Sequence, residues 1–315
     1  MAVETIIGVD VGGTKTAVVE VNPAGETLQR VSHPTDGAIP FATTFPALAD
    51  AIATTIASAR AGGRSPLAIG IAAPGPLHAG RGVVVDPPNL PGWHGAHVTA
   101  AVSSRFPALP VFLEHDAKAG ALAEWRFGVG RTRPGLEHMI FLVYGTGMGA
   151  GIIVGGKLLR GASETAGELA TFRVPIPDDA RVRDVRGWED AASGRGLVCL
   201  AHVMAPDRWP GRPEIHDIVS AALAGDPAAR AVVTESGRWL GSGMAALVDV
   251  LNPQLIVVGS LGVVLGDLLL APARESLGRA ARPAAVAACE VVPAALGEHL
   301  SAVQAIMPAL VGLGR

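Results

Sequence analysis

A chain of 315 residues exceeds the size at which one hydrophobic core usually keeps growing, so two domains are expected. Hydrophobic residues make up 49% and charged residues 17%, enough apolar surface for a large core and too much for a disordered chain. The net charge of -3, with no run of Lys and Arg, counts against nucleic acid as a partner. No apolar run reaches the roughly 18 residues that a bilayer span requires. Cys199 and Cys289 are too few for a disulfide framework. Both lie among apolar residues and are expected to be buried free thiols in a reducing cytoplasm. Residues 1–5 lead into the first strand without a basic segment or a cleavage site, so no leader is expected.

Residues 6–21 read as a strand, a turn at Gly12-Gly13 and a second strand, because apolar and β-branched residues flank the glycines. A hairpin here excludes the dinucleotide fingerprint and the P-loop, which both need a helix opening directly after the glycines. The amides of such a turn form an anion-binding concavity, and Thr14 and Lys15 add a hydroxyl and an ammonium. Asp10, at the end of the first strand, is placed to hold a hydrated Mg²⁺. Residues 139–144 repeat the device as an apolar strand. Gly145, Thr146 and Gly147 open a glycine turn running to Gly151, and residues 152–154 return. One such hairpin is compatible with plain Gly-rich structure; two of them imply similar halves facing one nucleotide.

Residues 25–35 read as a third antiparallel strand, and residues 41–61 as a helix ending at Gly62-Gly63. A short buried strand, 67–72, runs into the rigid turn Ala73-Pro-Gly-Pro76. Residues 82–86 form a strand, followed by a proline-stiffened loop in which Asn89 can both donate and accept. That suits a polyhydroxylated ligand, or an Asn capping its own turn. Residues 110–113 lead into Asp116, read as the N-cap of a helix over 117–127 with Leu122 and Trp125 inward. The unpaired amides favour its ionised form there, so Asp116 is either a proton acceptor or simply a cap. Glu168 lies in a loop of small residues, 181–186 is a charged exposed stretch, and Glu189 with Ser193 opens a helix running to about Met204. Helices are expected over 213–223 and 227–251, the second ended by Asn252-Pro253. The strand 255–262 carries Gly259 near its carboxyl end, where adenine can lie against backbone, or a strand-to-helix turn can form. A last strand spans 286–292 and a closing helix 301–313.

In this order, Asp10-Val-Gly-Gly-Thr-Lys15, Ala73-Pro-Gly-Pro76, Asn89-Leu-Pro-Gly-Trp93, Glu114-His-Asp-Ala117, Gly145-Thr-Gly-Met-Gly149 and Ala166-Gly-Glu-Leu169 resemble the ROK family of sugar kinases. That family lies within the actin-like and hexokinase-like ATPase superfamily. The resemblance implies an α/β fold of two actin-like, ribonuclease H-like domains around an interdomain cleft. The division expected is 1–114, with the C-terminal helix 299–315 returning to it, and 115–298. It further implies ATP and Mg²⁺ as co-substrates and transfer of the γ-phosphoryl group to a sugar hydroxyl, usually the 6-OH. Asp116 matches the family's catalytic base, and Asn89, His115, Glu168 and Glu189 fall on its sugar-contacting positions. Relatives commonly form homodimers.

Departures from the family bear on metal and substrate. Many ROK proteins hold a structural zinc through a His after the Gly-Glu motif and a cysteine cluster. Thr171 stands at the His position and no Cys lies between Thr171 and Ser193, so zinc is not expected. His115 replaces the family's usual Asn, and Lys118, also commonly Asn, is expected to snorkel to solvent. These changes widen the substrate from glucose to modified hexoses such as amino sugars, to N-acetylmannosamine and to sugar-like cyclitols. A non-catalytic ROK sugar sensor is the competing class, although such regulators generally carry an N-terminal DNA-binding domain and no helix-turn-helix precedes the first strand here. An actin-like assembly ATPase fits less well, given Asn89, Asp116, Glu168 and Glu189.

Overall fold

The structure is a computed structural model describing residues 3–315. The first two residues of the segment read for a leader lie outside the described residues. The chain divides into two compact units. The first comprises Met1–Arg131, Arg160–Ala166 and Glu298–Arg315; the second comprises Thr132–Leu159 and Gly167–Gly297. This divide does not coincide with the boundary expected at residue 114. The helix after that point packs against the C-terminal helix, and the ring of Phe127 would lie 3.0 Å from a Cβ at Gly25, which keeps the segment in the first unit.

In the first unit, β1 (Val3–Val11), β2 (Lys15–Val21) and β3 (Thr27–Pro34) form an antiparallel meander. Helix α1 (Phe41–Ala61) then leads to β4 (Arg64–Ala73), which pairs parallel to β1. The expected strand over 82–86 shrinks to β6 (Val83–Val84), the middle of a small sheet with β5 (Leu77–His78) and β7 (Ala96–His97). Helix α2 (Val98–Arg105) precedes β8 (Val111–His115), parallel to β4, which runs without a loop into α3 (Asp116–Arg126). Ile7, Val9, Ile69 and Ile71 form one core with Leu48, Ile52 and Ile56 of α1. The spacing of those three α1 residues puts them on one helical face.

Glycines open the sheet to the C-terminal helix, Leu300–Gly312. A Cβ at Gly8 would sit 2.8 Å from the Ala305 methyl, and one at Gly70 would sit 2.5 Å from the Ala305 carbonyl oxygen. Small residues on strand and helix therefore let backbone lie against backbone. Glu20, fully buried in β2, is paired bidentately by Arg64 at 2.8 and 3.0 Å.

The second unit repeats the plan. β9 (Met139–Tyr144), β10 (Met148–Val154) and β11 (Lys157–Leu158) form an antiparallel meander, and β12 (Leu255–Ser260) and β13 (Glu290–Pro293) extend it in parallel. The two five-stranded orders, β3-β2-β1-β4-β8 and β11-β10-β9-β12-β13, match position by position. Before β12 come α4 (Gly194–Met204), α5 (Ile215–Leu223) and α6 (Pro227–Leu251). After it come α7 (Leu261–Leu265), α8 (Asp267–Ala280) and α9 (Pro283–Ala288).

Several local expectations are corrected. The return strand of the second hairpin begins at Met148, not Ile152, because Met148 already pairs with Tyr144. Residues 286–288 are helical, since Pro283 starts an Ala-rich turn, and only Glu290 onward pairs with β12. Glu189 lies in a separate 3₁₀ turn, Trp188–Asp190, and Ser193 alone caps α4 through the Gly196 amide at 3.0 Å. Cys199 is exposed, because Leu197, Val198, Leu200 and Ala201 take the buried face of α4. Cys289 is half-buried, and burial pushes its thiol up to about 11. No helix among the described residues is long and apolar enough to cross a membrane.

Gly70→Ala is expected to cost about 1–3 kcal/mol by overpacking against Ala305. Gly278→Ala, in α8 with nothing within 4 Å of the added Cβ, is expected to be neutral or stabilising by up to about 1 kcal/mol. Urea unfolding midpoints check the pair.

Candidate active site

In the first unit the predicted residues gather at the carboxyl ends of β1, β4 and β8. Gly12 donates its amide to the Lys15 carbonyl at 2.9 Å, closing the first turn. That amide is therefore committed to the hairpin, and the turn's exposed groups are the Thr14 and Lys15 side chains. Asn89 is brought directly against this turn. A Cβ at Gly13 would lie 2.6 Å from the Asn89 carbonyl oxygen and one at Gly37 would lie 2.4 Å from it, so both glycines are seats for the Asn89 loop. Buried Leu90 and Trp93 anchor that loop, the Trp93 ring lying edge-on to Phe41 at 4.8 Å.

Asp10 is gripped from 291 residues away. Ser301 Oγ donates to Oδ2 at 2.5 Å, and Gln304 Nε2 donates to Oδ1 at 2.7 Å. Sequence reading missed both partners, which lie on successive turns of the C-terminal helix. Burial lifts the Asp10 carboxyl above its ordinary value; the two donors oppose the rise and the Asp116 carboxylate adds to it. Among the described residues no Lys or Arg forms an ion pair with Asp10. A buried carboxylate hydrogen-bonded by two neutral donors, with the Arg30 charge only a minor offset, suits a hydrated divalent cation.

The β8-α3 junction differs from expectation in its cap. His115 is the N-cap, its Nδ1 accepting the Ala117 amide at 3.0 Å, and Asp116 is the first helical residue. Asp116 Oδ1 shares that amide at 2.6 Å and lies 3.2 Å from His115 Nδ1. The His115 ring is thus held between the Ala117 amide and the Asp116 carboxylate at the start of α3. The Asp116 side chain is 35% exposed and so reachable by a ligand. Lys118 does not snorkel: it is 2% exposed, and its Nζ donates to the Glu164 main-chain carbonyl.

In the second unit the 145–147 turn and Gly259 lie at the carboxyl ends of β9 and β12, and Glu189 joins that turn. The loop of Glu168 runs beside β10, where Ala150 donates its amide to the Gly167 carbonyl at 2.9 Å. The 145–147 turn is held by α4, whose Gly194 and Arg195 amides donate to the Gly145 and Thr146 carbonyls at 2.7 and 3.0 Å. Gly145 also donates to Gly147 at 3.0 Å. Glu189, read as a sugar contact, accepts the Met148 amide at 2.8 Å and lies 3.6 Å from Arg195, so it braces this turn. A Cβ at Gly147 would meet its Oε2 at 2.6 Å. Tyr144, preceding the turn, is locked by Ser236 Oγ at 2.6 Å, and Ser236 donates onward to the Ala191 carbonyl.

Gly259 makes room for the Phe141 ring, 2.7 Å from where its Cβ would be, and Ser260 beside it has a φ of 55°. Glu168 is exposed beside Leu169, which is buried, and Thr171 is exposed. The loop is pinned where Phe172 packs at 6.3 Å against the buried Trp188, whose Nε1 donates to the Trp239 carbonyl at 2.9 Å. Among the described residues no group of three or more His, Cys, Asp or Glu is arranged to hold a metal.

The Asp10 geometry has a consequence for stability. A carboxyl whose pKa is raised on folding lowers stability as pH climbs from its ordinary 3.8 through the raised value. Asp10→Asn, measured with chelator present, is therefore expected to unfold at a higher temperature than the parent at pH 7. The gain should vanish as the pH falls toward about 4. A variant less stable than the parent at pH 7 contradicts the assignment.

A sequence profile of the ROK family matches residues 6–309. The chain is 36% identical over 288 residues to a glucokinase of Streptomyces coelicolor, covering 87% of each chain. It is 30% identical over 293 residues to a xylose repressor of Caldicellulosiruptor bescii, covering 88% of this chain and 71% of the repressor. A solved ROK family glucokinase from Streptomyces griseus, in complex with glucose and AMPPNP, superposes with a TM-score of 0.73 at 32% identity, covering 97% of this chain and 98% of that one. The mixed α/β architecture is the actin-like fold of the ROK sugar kinases. With a profile match from Ile6 to Ala309 and a relative aligned across most of both chains, this protein belongs to the ROK family.

Proposed function

We propose that the chain transfers the γ-phosphoryl group of ATP to the primary, 6-type hydroxyl of a hexose or hexose-like sugar, with Asp116 as the general base. The observation that carries this reading is the β8-α3 junction, where a partly exposed carboxylate is oriented by a helix amide and flanked by the His115 imidazole. Phosphoryl transfer asks the protein mainly for positioning and charge neutralisation, plus one group to take the hydroxyl proton. Asp116 takes that proton, and its amide hydrogen bond fixes the direction from which it does so. His115, Asn89, Glu168 and Glu189 supply donors and acceptors to the ring hydroxyls.

Thr14 and Lys15 on the first turn, and Gly145, Thr146 and Gly147 on the second, serve the ATP phosphates, with Gly12 and Gly13 shaping the first turn and Gly259 beside the adenine. Asp10 would hold Mg²⁺ through water, and the ion when bound neutralises phosphate charge. The likeness to glucokinases supports glucose or a modified glucose such as an amino sugar as acceptor. N-acetylmannosamine or a cyclitol is the alternative, because His115 and Thr171 change the donors around the pocket. The likeness to a xylose repressor favours a second reading, a sugar sensor without turnover. Two free thiols fit a reducing cytoplasm, a homodimer is expected from the family resemblance alone, and structural zinc is not part of the proposal.

An ADP-release screen over glucose, mannose, N-acetylmannosamine, amino-glucoses and cyclitols tests the reading. Turnover with one of these sugars is expected, and Asp116→Asn should bind that sugar yet lose about 10³-fold in turnover. Near-parental turnover in the variant removes the assigned base; sugar binding without ADP release in the parent favours the sensor. Glu189→Ala is expected to raise the KM for ATP as well as that for sugar, by about tenfold, because the Met148 amide loses its acceptor. An effect confined to the sugar would remove the bracing role.

A further inference from the structure

Residues 160–166 join the first unit although the chain on either side belongs to the second, and none of their side chains is buried. Arg160 and Glu164 line a cavity of about 410 Å³ together with Glu114, Phe112 and Leu122. This strap is therefore not seated on an apolar core, and polar bonds hold it. The Glu164 carboxylate accepts the Ala79 amide at 2.5 Å and the Gly80 amide at 3.4 Å. Arg160 Nη2 donates to Glu114 Oε2 at 2.6 Å, and Glu114 in turn accepts the His115 amide at 2.9 Å. Lys118 Nζ closes the set on the Glu164 carbonyl. Glu164 has a φ of 62°, a conformation that a residue with a side chain keeps only where its surroundings fix it.

An ammonium as buried as that of Lys118 has given up its hydration, so its hydrogen bonds decide where it sits. Its place follows from what it ties together. Resting on the kinase reading, we infer that Lys118 is a positioning residue, fastening the helical turn that carries Asp116 to the strap that runs directly into Gly167 and Glu168. Glu114 and Arg160 make the matching tie on the other side of Asp116 in sequence. The base and the strap thereby share one fixed anchor within the first unit, and loosening it should reach the sugar before it reaches ATP.

Lys118→Met keeps the length and the apolar stem of the side chain and removes the donor. In hydrogen exchange on the full chain, residues 160–166 are expected to exchange about tenfold faster in this variant, with α5 and α6 unchanged. The KM for sugar should rise about tenfold and that for ATP by less than about twofold, and Lys118→Gln, which restores a donor, should recover part of both. If Lys118→Met does not fold, Lys118→Gln carries the test against the parent, its shorter reach to the Glu164 main-chain carbonyl being expected to speed exchange at 160–166. Glu164→Ala, by contrast, keeps that carbonyl and loosens only the bonds to Ala79 and Gly80. Unchanged exchange at 160–166, or an equal rise throughout the first unit, overturns the inference, the latter reducing Lys118 to general stability. A parent protein that phosphorylates no sugar removes the kinase reading instead, and the exchange result then decides the anchor by itself.

Discussion

The peptide between Glu114 and Lys118 carries the strongest constraint in the first unit. A parallel edge strand passes into a helix with no intervening loop, and the five residues across the junction include two buried charges, a capping imidazole and a partly exposed carboxylate. Buried charges are costly unless paired, and breaking such a pair typically costs about 3–5 kcal/mol. Glu114 meets this demand with Arg160, and Lys118 meets it with the Glu164 carbonyl. The carboxylate at 116 is thus held in place by neighbours that need their partners more than they need mobility.

The two sheets share one plan, yet their glycine turns are finished differently. The first leaves a hydroxyl and an ammonium exposed at its tip, while a loop carrying Asn89 presses on its Gly13. The second has its carbonyls taken by the start of α4 and its Met148 amide taken by Glu189. One turn presents charge, and the other is a braced piece of backbone.

Both hairpins, the long helices α1 and α6 and the order of the motifs were legible in the sequence because each depends on local periodicity and turn chemistry. The β8-α3 junction was legible to within one residue; Asp116 was read as the cap because Asp favours that position, and His115 holds it instead. What escaped were contacts between residues distant in the chain. Nothing near Asp10 announces Ser301 and Gln304, and nothing near Lys118 announces a carbonyl at residue 164 that would draw its ammonium inward. Glu189 looked like part of the α4 start for the same reason: its partner lies across a sheet end. The strand expected at 286–292 failed on a different ground, because an Ala-rich run after Pro283 prefers helix until Glu290 finds β12.

The central claim is that the carboxylate at 116 directs phosphate onto a primary alcohol of a sugar. ³¹P NMR of a turnover mixture with the accepted sugar reads this directly. The account predicts that the γ-phosphate signal of ATP gives way to a phosphomonoester split into a triplet by the two protons of a methylene carbon. A doublet from a secondary carbinol, or inorganic phosphate as the only new signal, would contradict it.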